Sequence, residues 1–444
     1  MKIMQGIQKR AQTASLYIFY GLLAYVPLHI FLSTWLGTTF GMLEVAKVLK
    51  DVVLVIGFGL VVMASLSKPW FAQLFRSPLL WLIALYGLLT LALGITSSTD
   101  PRAETLGIVY NLRFFLFFIY ALLLAKLYDP VSIRRKAIKI VLAIGILVSL
   151  FGVIQYTVLP DQALTHVGYS RENGVLPAFF IDDKLDLERA MSTIRDPNTL
   201  GSYLIIIIAL LVAAVLAVRS KDLRRIAVGG LLLAGLALLF TFSRSSWIGA
   251  LAALLVFGLI YIAHKYEVGK FLRQHKLYVV LAAVAIAIFG AGLFVARDSY
   301  VVQNVIFHAD ESTELEDPNE LRLRFWQESL DTAAENPLGH GPGTAGLASI
   351  QSDEVVLNEN YYLQILHEVG IIGLALFLTI LVIVALKLYG YYRSERNIFA
   401  LALFAAFIGL SITNFLVHIW ANEAVAYTFW GLAGLYVTVL APKK

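Results

Sequence analysis

Two arginines stand at the starts of long apolar runs. Arg244 lies in TFSRSSWIG, residues 241–249, on a short link between two such runs, and Arg195 lies in STIRDPNTLGSYL just ahead of another. Pro197 disfavours helix at Asp196, and Asn198 is expected to cap the helix that follows. Ser245 or Ser246 is expected to do the same after Arg244. A helix start presents unpaired N–H groups and a partial positive charge, so an arginine beside it suits a phosphate. The competing readings are a snorkelling Arg244 among lipid headgroups and an Arg195 paired with Asp196 or a neighbouring acid. Arg322 and Arg324 stand two apart on a helical stretch and so face different ways; one of them can point inward, and a solvated charged face is the alternative. Arg113, deep in YNLRFFLFF, is expected to be structural and to pair with a carboxylate such as Glu44 or Asp51.

The elements that carry these arginines are membrane helices. Of the 444 residues 59% are hydrophobic and 15% charged, the mean hydropathy is +0.77, and apolar runs of about twenty residues recur throughout. Continuous runs exclude a β-barrel, leaving a polytopic all-α bundle. The chain has no cysteine, which removes disulfides, thiolate metal sites and a cysteine nucleophile together. Twelve spans are expected: 16–36, 44–65, 79–96, 106–125, 137–159, 199–218, 226–242, 246–263, 278–296, 361–386, 398–415 and 424–440. The first is read as a span and not as a signal peptide, since it passes signal length without a convincing cleavage site.

Charge then sorts the connections. Twenty-three of the 35 Lys and Arg residues fall on alternate links, joined by only four acids, Asp129, Asp222, Glu267 and Glu395. The positive-inside rule therefore predicts both termini in the cytoplasm and a single transmembrane domain over 1–444. The outer side holds the two long connections, 160–198 and 297–360. In the second, Pro318 and Asn319 open an amphipathic stretch with Leu321, Phe325 and Leu330 on one side, closed by Asn336-Pro337-Leu338-Gly339. It is expected to form a helix lying over the outer face of the bundle. Several arginines on one side of a membrane, without a metal-binding Asp/Glu cluster, suit an elongated polyanion such as a lipid-linked diphosphate.

TFSRSSWIG between two spans, the RLRFW…NPLGHGPG loop, NENYYLQILHEVGIIGLALFL at the start of a late span, and RDPNTLGSYL together resemble the O-antigen ligase and polymerase superfamily. The resemblance runs from about residue 190 to 415. It implies a metal-independent, cofactor-free glycosyltransferase of the helical C type, at the outer face of a bacterial cytoplasmic membrane. Its partners would be an undecaprenyl-diphosphate-linked oligosaccharide, an acceptor glycan or glycolipid, and membrane lipids, with no nucleic acid. By the resemblance Arg195 and Arg244 bind the donor diphosphate and stabilise it as it leaves, and Arg322 is the loop arginine facing the same site.

The ligases carry His-Asn, nine residues, then Gly-x-x-Gly. Here Tyr361–Val369 supplies the nine and Gly370-Ile-Ile-Gly373 the glycines, but the histidine position is Glu359, followed by Asn360, which is expected to bind substrate. Glu359 is expected to replace the histidine as base, with burial adjusting its acidity. The departure tips the reading toward a polymerase over a ligase. His340, in GHGPG, is a second candidate base or substrate-binding residue, and His367 is expected to be packed inside the bundle. Tyr361, Tyr362 and Trp326 could stack on sugars or anchor at the interface. The competing function is a transporter or flippase of a lipid-linked glycan; related halves and charges inside the membrane would favour it, and no related halves are visible.

Overall fold

The computed structural model describes residues 2–97, 99–181, 184–265, 318–356 and 359–437. The helices before the first long connection are α1 (Lys2–Tyr25), α2 (His29–Thr39), α3 (Leu43–Ser65), α4 (Pro78–Thr96), α5 (Pro101–Leu127) and α6 (Pro130–Thr157). After it come α7 (Pro197–Ala217), α8 (Lys221–Phe240) and α9 (Arg244–Lys265). The last are α10 (Pro318–Glu335), α11 (Tyr361–Glu395), α12 (Ile398–Thr413) and α13 (Glu423–Tyr436). The connection between α6 and α7 also folds a small antiparallel hairpin, β1 (Phe180–Ile181) with β2 (Lys184–Glu188), which the sequence reading did not anticipate.

Among the described residues nine segments are long and apolar enough to cross a membrane, with α1 and α2 forming one of them, Gln5–Thr39. All eight spans expected before residue 265 coincide with such segments. The expected span 278–296 lies outside the described residues. The last two, expected as full spans, are helices of only 16 and 14 residues, α12 and α13. Nine spans, rather than twelve, are therefore what the described residues show.

Three helices start by one device. Asp100-Pro101, Asp129-Pro130 and Asp196-Pro197 each place an aspartate outside the helix and a proline at its first position. The carboxylate accepts from Arg102 N (2.7 Å), Ser132 N (2.8 Å) or Thr199 N (2.9 Å), and the proline lacks an N–H that would need a partner. The cap of α7 is thus Asp196, not Asn198. A β-region cap must precede the proline, and Asn198 is already inside the first turn.

Burial separates an inner from an outer set. In α7, 78% of the most apolar window is buried, and α13 is buried from Ala424 to Tyr436, so both are apolar on all sides for packing and not for lipid. Phe114 and Phe115 pack with both Phe377 and Trp430, and Trp430 also meets Trp420 at 5.6 Å, filling the centre. By contrast α8 and α9 expose Leu232, Leu239, Leu251 and Leu259, the surface a bilayer would cover. On its inner face α9 approaches α12 closely, with Gly249 against Gly409.

One charged cluster lies inside the bundle. Arg113 of α5 donates to Glu423 Oε2 of α13 (3.0 Å) and the Ala421 carbonyl (2.5 Å), and lies 3.7 Å from Asp51 of α3. Lys50 pairs with Asp51 at 3.1 Å, Tyr427 donates to Asp51 at 2.8 Å, and His29 lies 3.8 Å from Glu423. The expected Asp51 partner is present. Glu44 is not a partner; it is exposed and pairs with Lys47 at 2.8 Å.

Candidate active site

The link between α8 and α9 is three residues long, and closing it forces Phe242 to a φ of +49°, a region costly for a bulky side chain. Thr241 Oγ1 accepts from Ser243 N (3.2 Å), while Trp247 Nε1 reaches back to the Leu238 carbonyl (2.9 Å). Helix α9 therefore begins at Arg244, one turn position earlier than a cap at Ser245 or Ser246 would allow. Those serines lie inside the first turn, where Ser243 Oγ meets them at 3.2 and 2.9 Å. Arg244 is half-buried.

Four helix starts gather on one face. Ser246 Oγ donates to the Asn198 carbonyl (3.2 Å), joining the starts of α9 and α7, and Gly201 leaves room for that serine. Thr413, at the end of α12, donates to the Ser245 carbonyl (3.3 Å). The next residue, Asn414, accepts from Tyr361 N (2.9 Å) at the start of α11. The start of α13 shares a crevice with Arg195, lined also by Val26, Pro27, Asn422 and Glu423. The positive ends of α7, α9, α11 and α13 thus surround the end of α12, each with about half an elementary charge. Arg195 is half-buried there and has no hydrogen-bond or ion-pair partner among the described residues. Its expected rival, a pair with Asp196, does not form, because that carboxylate is occupied by Thr199 N and Thr199 Oγ1.

A third arginine, missed in the sequence, ties this junction. Arg189 donates from Nε to the Thr241 carbonyl (2.9 Å) and from Nη2 to Asn198 Oδ1 (2.9 Å), locking the α8–α9 link to the start of α7. Its loop is held by Gln155 of α6, which accepts from Met191 N and Ser192 N at 3.1 and 2.7 Å. Burial pushes the neighbouring Glu188 carboxyl above its ordinary value; the Gln162 N–H opposes this, Asp161 adds to it, and Gln155 opposes it.

At the start of α11 the expectations divide. Glu359 is exposed, with a φ of +42°, so the burial expected for it is absent. Asn360 is buried and caps α11, accepting from Tyr362 N (2.9 Å) and Leu363 N (3.2 Å), which uses the oxygen expected to meet substrate. Tyr361 is fully buried against Phe377 and cannot offer a ring face to a sugar. Tyr362 packs on Phe415 and donates to the Ser411 carbonyl at 3.0 Å. The backbone of Arg322 lies on α10, while its side chain is outside the described residues. Arg324 is exposed, 3.7 Å from Glu328.

Gly370 breaks α11. Its φ of +72° and ψ of −174° belong to a region essentially reserved for glycine, and a Cβ would collide with the Leu338 carbonyl. The loop Pro337–Gly341 fills the break: Ile371 N donates to Pro337 O (2.9 Å), His340 N to His367 O (2.9 Å) and Gly341 N to Glu368 O (3.0 Å). The carbonyls and N–H that the break frees are thereby paired by the loop. Glu368, fully buried, accepts from Asn111 Nδ2 (2.7 Å) and Gly343 N (3.0 Å), fastening the same loop to α5. His340 stacks on His367 with ring centroids 4.5 Å apart. Both line a cavity of about 910 Å³ under α10, bounded also by the α4–α5 link and by residues 352–356. His367 is buried as expected, yet it faces this cavity. Leu330, expected on the packed side of α10, is 53% exposed; Ser329 and Ala333 take that side, with Phe325 at the cavity wall.

Residues 229–378, from the middle of α8 into α11, match the sequence model of a family described as O-antigen ligase. That stretch is similar to the O-antigen ligase family. It spans about a third of the chain and includes Arg244, the spliced break in α11 and Glu359, while Arg189 and Arg195 lie ahead of it. No curated protein matches the chain. The O-antigen ligase match supports a membrane glycan function of the ligase or polymerase type, consistent with the resemblance read from the sequence.

Proposed function

We propose that the protein transfers an oligosaccharide from an undecaprenyl-diphosphate carrier to an acceptor glycan at the outer face of a bacterial cytoplasmic membrane. The observation that carries this reading is the gathering of four helix starts around Arg195 and Arg244. An elongated diphosphate entering from the bilayer would meet a preorganised positive face that needs no reorganisation as charge builds up. Arginine suits this task because it stays charged and can bind two phosphate oxygens in parallel. Arg189 would act by holding the junction in place, since both its identified hydrogen bonds go to the protein. Arg322 and His340 are assigned to the substrate side.

In the proposed step the acceptor hydroxyl oxygen bonds to the anomeric carbon as the bond from that carbon to the diphosphate oxygen breaks. The electron pair stays on the diphosphate, between the arginines, and the hydroxyl proton passes to the Glu359 carboxylate. A single displacement inverts the anomeric centre. Exposure of Glu359 leaves it open to an acceptor arriving from water. The absence of a histidine at that position favours chain extension over ligation.

The test is transfer by purified protein in nanodiscs, with EDTA, from a panel of undecaprenyl-diphosphate oligosaccharides. Longer lipid-linked chains that disappear in Glu359→Gln and Arg244→Ala would support this reading. Transfer that is undiminished in both variants would sink it. Flipping of the labelled lipid by the same vesicles, without transfer to any lipid-linked acceptor, would move the protein to the transporter class.

A further inference from the structure

The arginine rim leaves the cavity under α10 unexplained. Its walls carry Asp100 from the α4–α5 link, Glu328 from α10, and Asp353 and Glu354 from the loop before α11, with neither Lys nor Arg among the described lining residues. Within it His367 is only 6% exposed, and its buried Nδ1 has no hydrogen-bond partner among the described residues. An imidazole nitrogen left unpaired in so buried a place costs free energy, and the His367 ring is part of the cavity wall. A volume of about 910 Å³ falls in the range of roughly 300–1,000 Å³ that holds small ligands.

We propose that this cavity is a glycan subsite for neutral or amine-bearing sugar residues, and that it excludes anionic ones. The inference rests on the glycosyltransferase reading above. Carboxylates accept hydrogen bonds from adjacent sugar hydroxyls and attract an ammonium group, imidazole can donate or accept, and Phe325 offers an apolar wall. A uronic acid would add a negative charge beside these acids, of which Glu328 also has Arg324 at 3.7 Å. The reach is also suitable: residues 352–356, which line the cavity, end three positions before Glu359, so an acceptor with its reactive hydroxyl at Glu359 would extend toward the cavity. The two ends of the site then divide the work by charge. The rim holds the diphosphate, and the acidic cavity selects the sugar.

Saturation-transfer NMR on the full chain in nanodiscs, without any donor lipid, tests this with three trisaccharides of one linkage built from glucose, glucosamine or glucuronate. The first two should bind, and the third should bind roughly tenfold more weakly, the order expected for screened like charges at a cavity wall. The double variant Asp353→Asn/Glu354→Gln, at exposed positions, should narrow that gap, and His367→Phe should weaken the neutral sugar while preserving the preference. Equal binding of all three, binding of none, or binding that appears only with an added divalent cation would overturn the proposal. Because no donor is present, its failure is separable from that of the transfer reading: intact, arginine-dependent transfer with no saccharide binding removes the cavity alone.

Discussion

Arg113 and Arg195 are the same residue type, and both lie close to Glu423, yet they keep different company. Arg113 is enclosed: it is hydrogen-bonded to Glu423 and Ala421, near Asp51, and lies over the Tyr110 ring at 4.7 Å. Arg195 shares a crevice with Glu423 but forms no bond among the described residues. A charge buried in a bundle must be paired because an unpaired one is too costly, whereas a charge at the rim can wait for a ligand. Pairing, and not residue type, separates the arginine that builds the fold from the one proposed to meet an anion.

That contrast can be broken most severely at its buried end. Arg113→Met should cost about 3–5 kcal/mol, since Glu423 and Asp51 lose a partner inside the bundle. The check is the yield and thermal midpoint of the purified protein, and a normal midpoint would show that the cluster is not needed for folding. Arg195→Ala should do the opposite, lowering transfer about 10²- to 10³-fold, as loss of one preorganised charge donor does, with the midpoint unchanged. A large fall in midpoint would place Arg195 with Arg113 and end the distinction.

Smaller effects sharpen the comparison around the rim. Gly370→Ala should cost roughly 1–3 kcal/mol through its positive φ and the collision with the Leu338 carbonyl, and should raise protease sensitivity between residues 337 and 343. Asp196→Ala should cost about 1 kcal/mol as a lost helix cap, and Asp196→Asn should recover most of it; equal loss in both would mean that charge matters more than capping. The smallest effect concerns Glu188. Its carboxyl is raised in the fold, so the stability it contributes is present below the ordinary carboxyl range and is lost as pH rises through the raised value. The midpoint of Glu188→Gln relative to wild type should therefore climb as pH rises from the ordinary carboxyl range through the raised value. A difference that falls over that window would refute the assignment.

Much of the bundle was legible beforehand, because hydropathy and helix-start chemistry are local. Eight expected spans coincide with helices, and the Asp-Pro pairs that open α5, α6 and α7 are visible in the chain, although the proline's demand for a preceding cap was overlooked at Asn198. The site was legible only in part. Arg195 and Arg244 could be singled out by their places beside helix starts, but Arg189 has no such mark and acts through partners at Asn198 and Thr241. Asn360 and Tyr361 were read by motif position, and the packing consumes both: one caps a helix and the other is buried behind Phe377.

By itself, the sequence determined the all-helical apolar architecture, the links that carry basic charge, the absence of thiol chemistry, and two arginines at the mouths of apolar helices. These follow from composition and from neighbours a few positions apart. Tertiary structure alone decided that Arg113 chooses Glu423 over Glu44, that Glu368 meets Asn111 across 257 positions, and that four separate acidic residues line one cavity with His367. Hydrophobic periodicity specifies which side of a helix is buried, not which other helix it meets. Only packing of the whole bundle sets that choice, through close glycine contacts and the requirement that every buried charge find its partner.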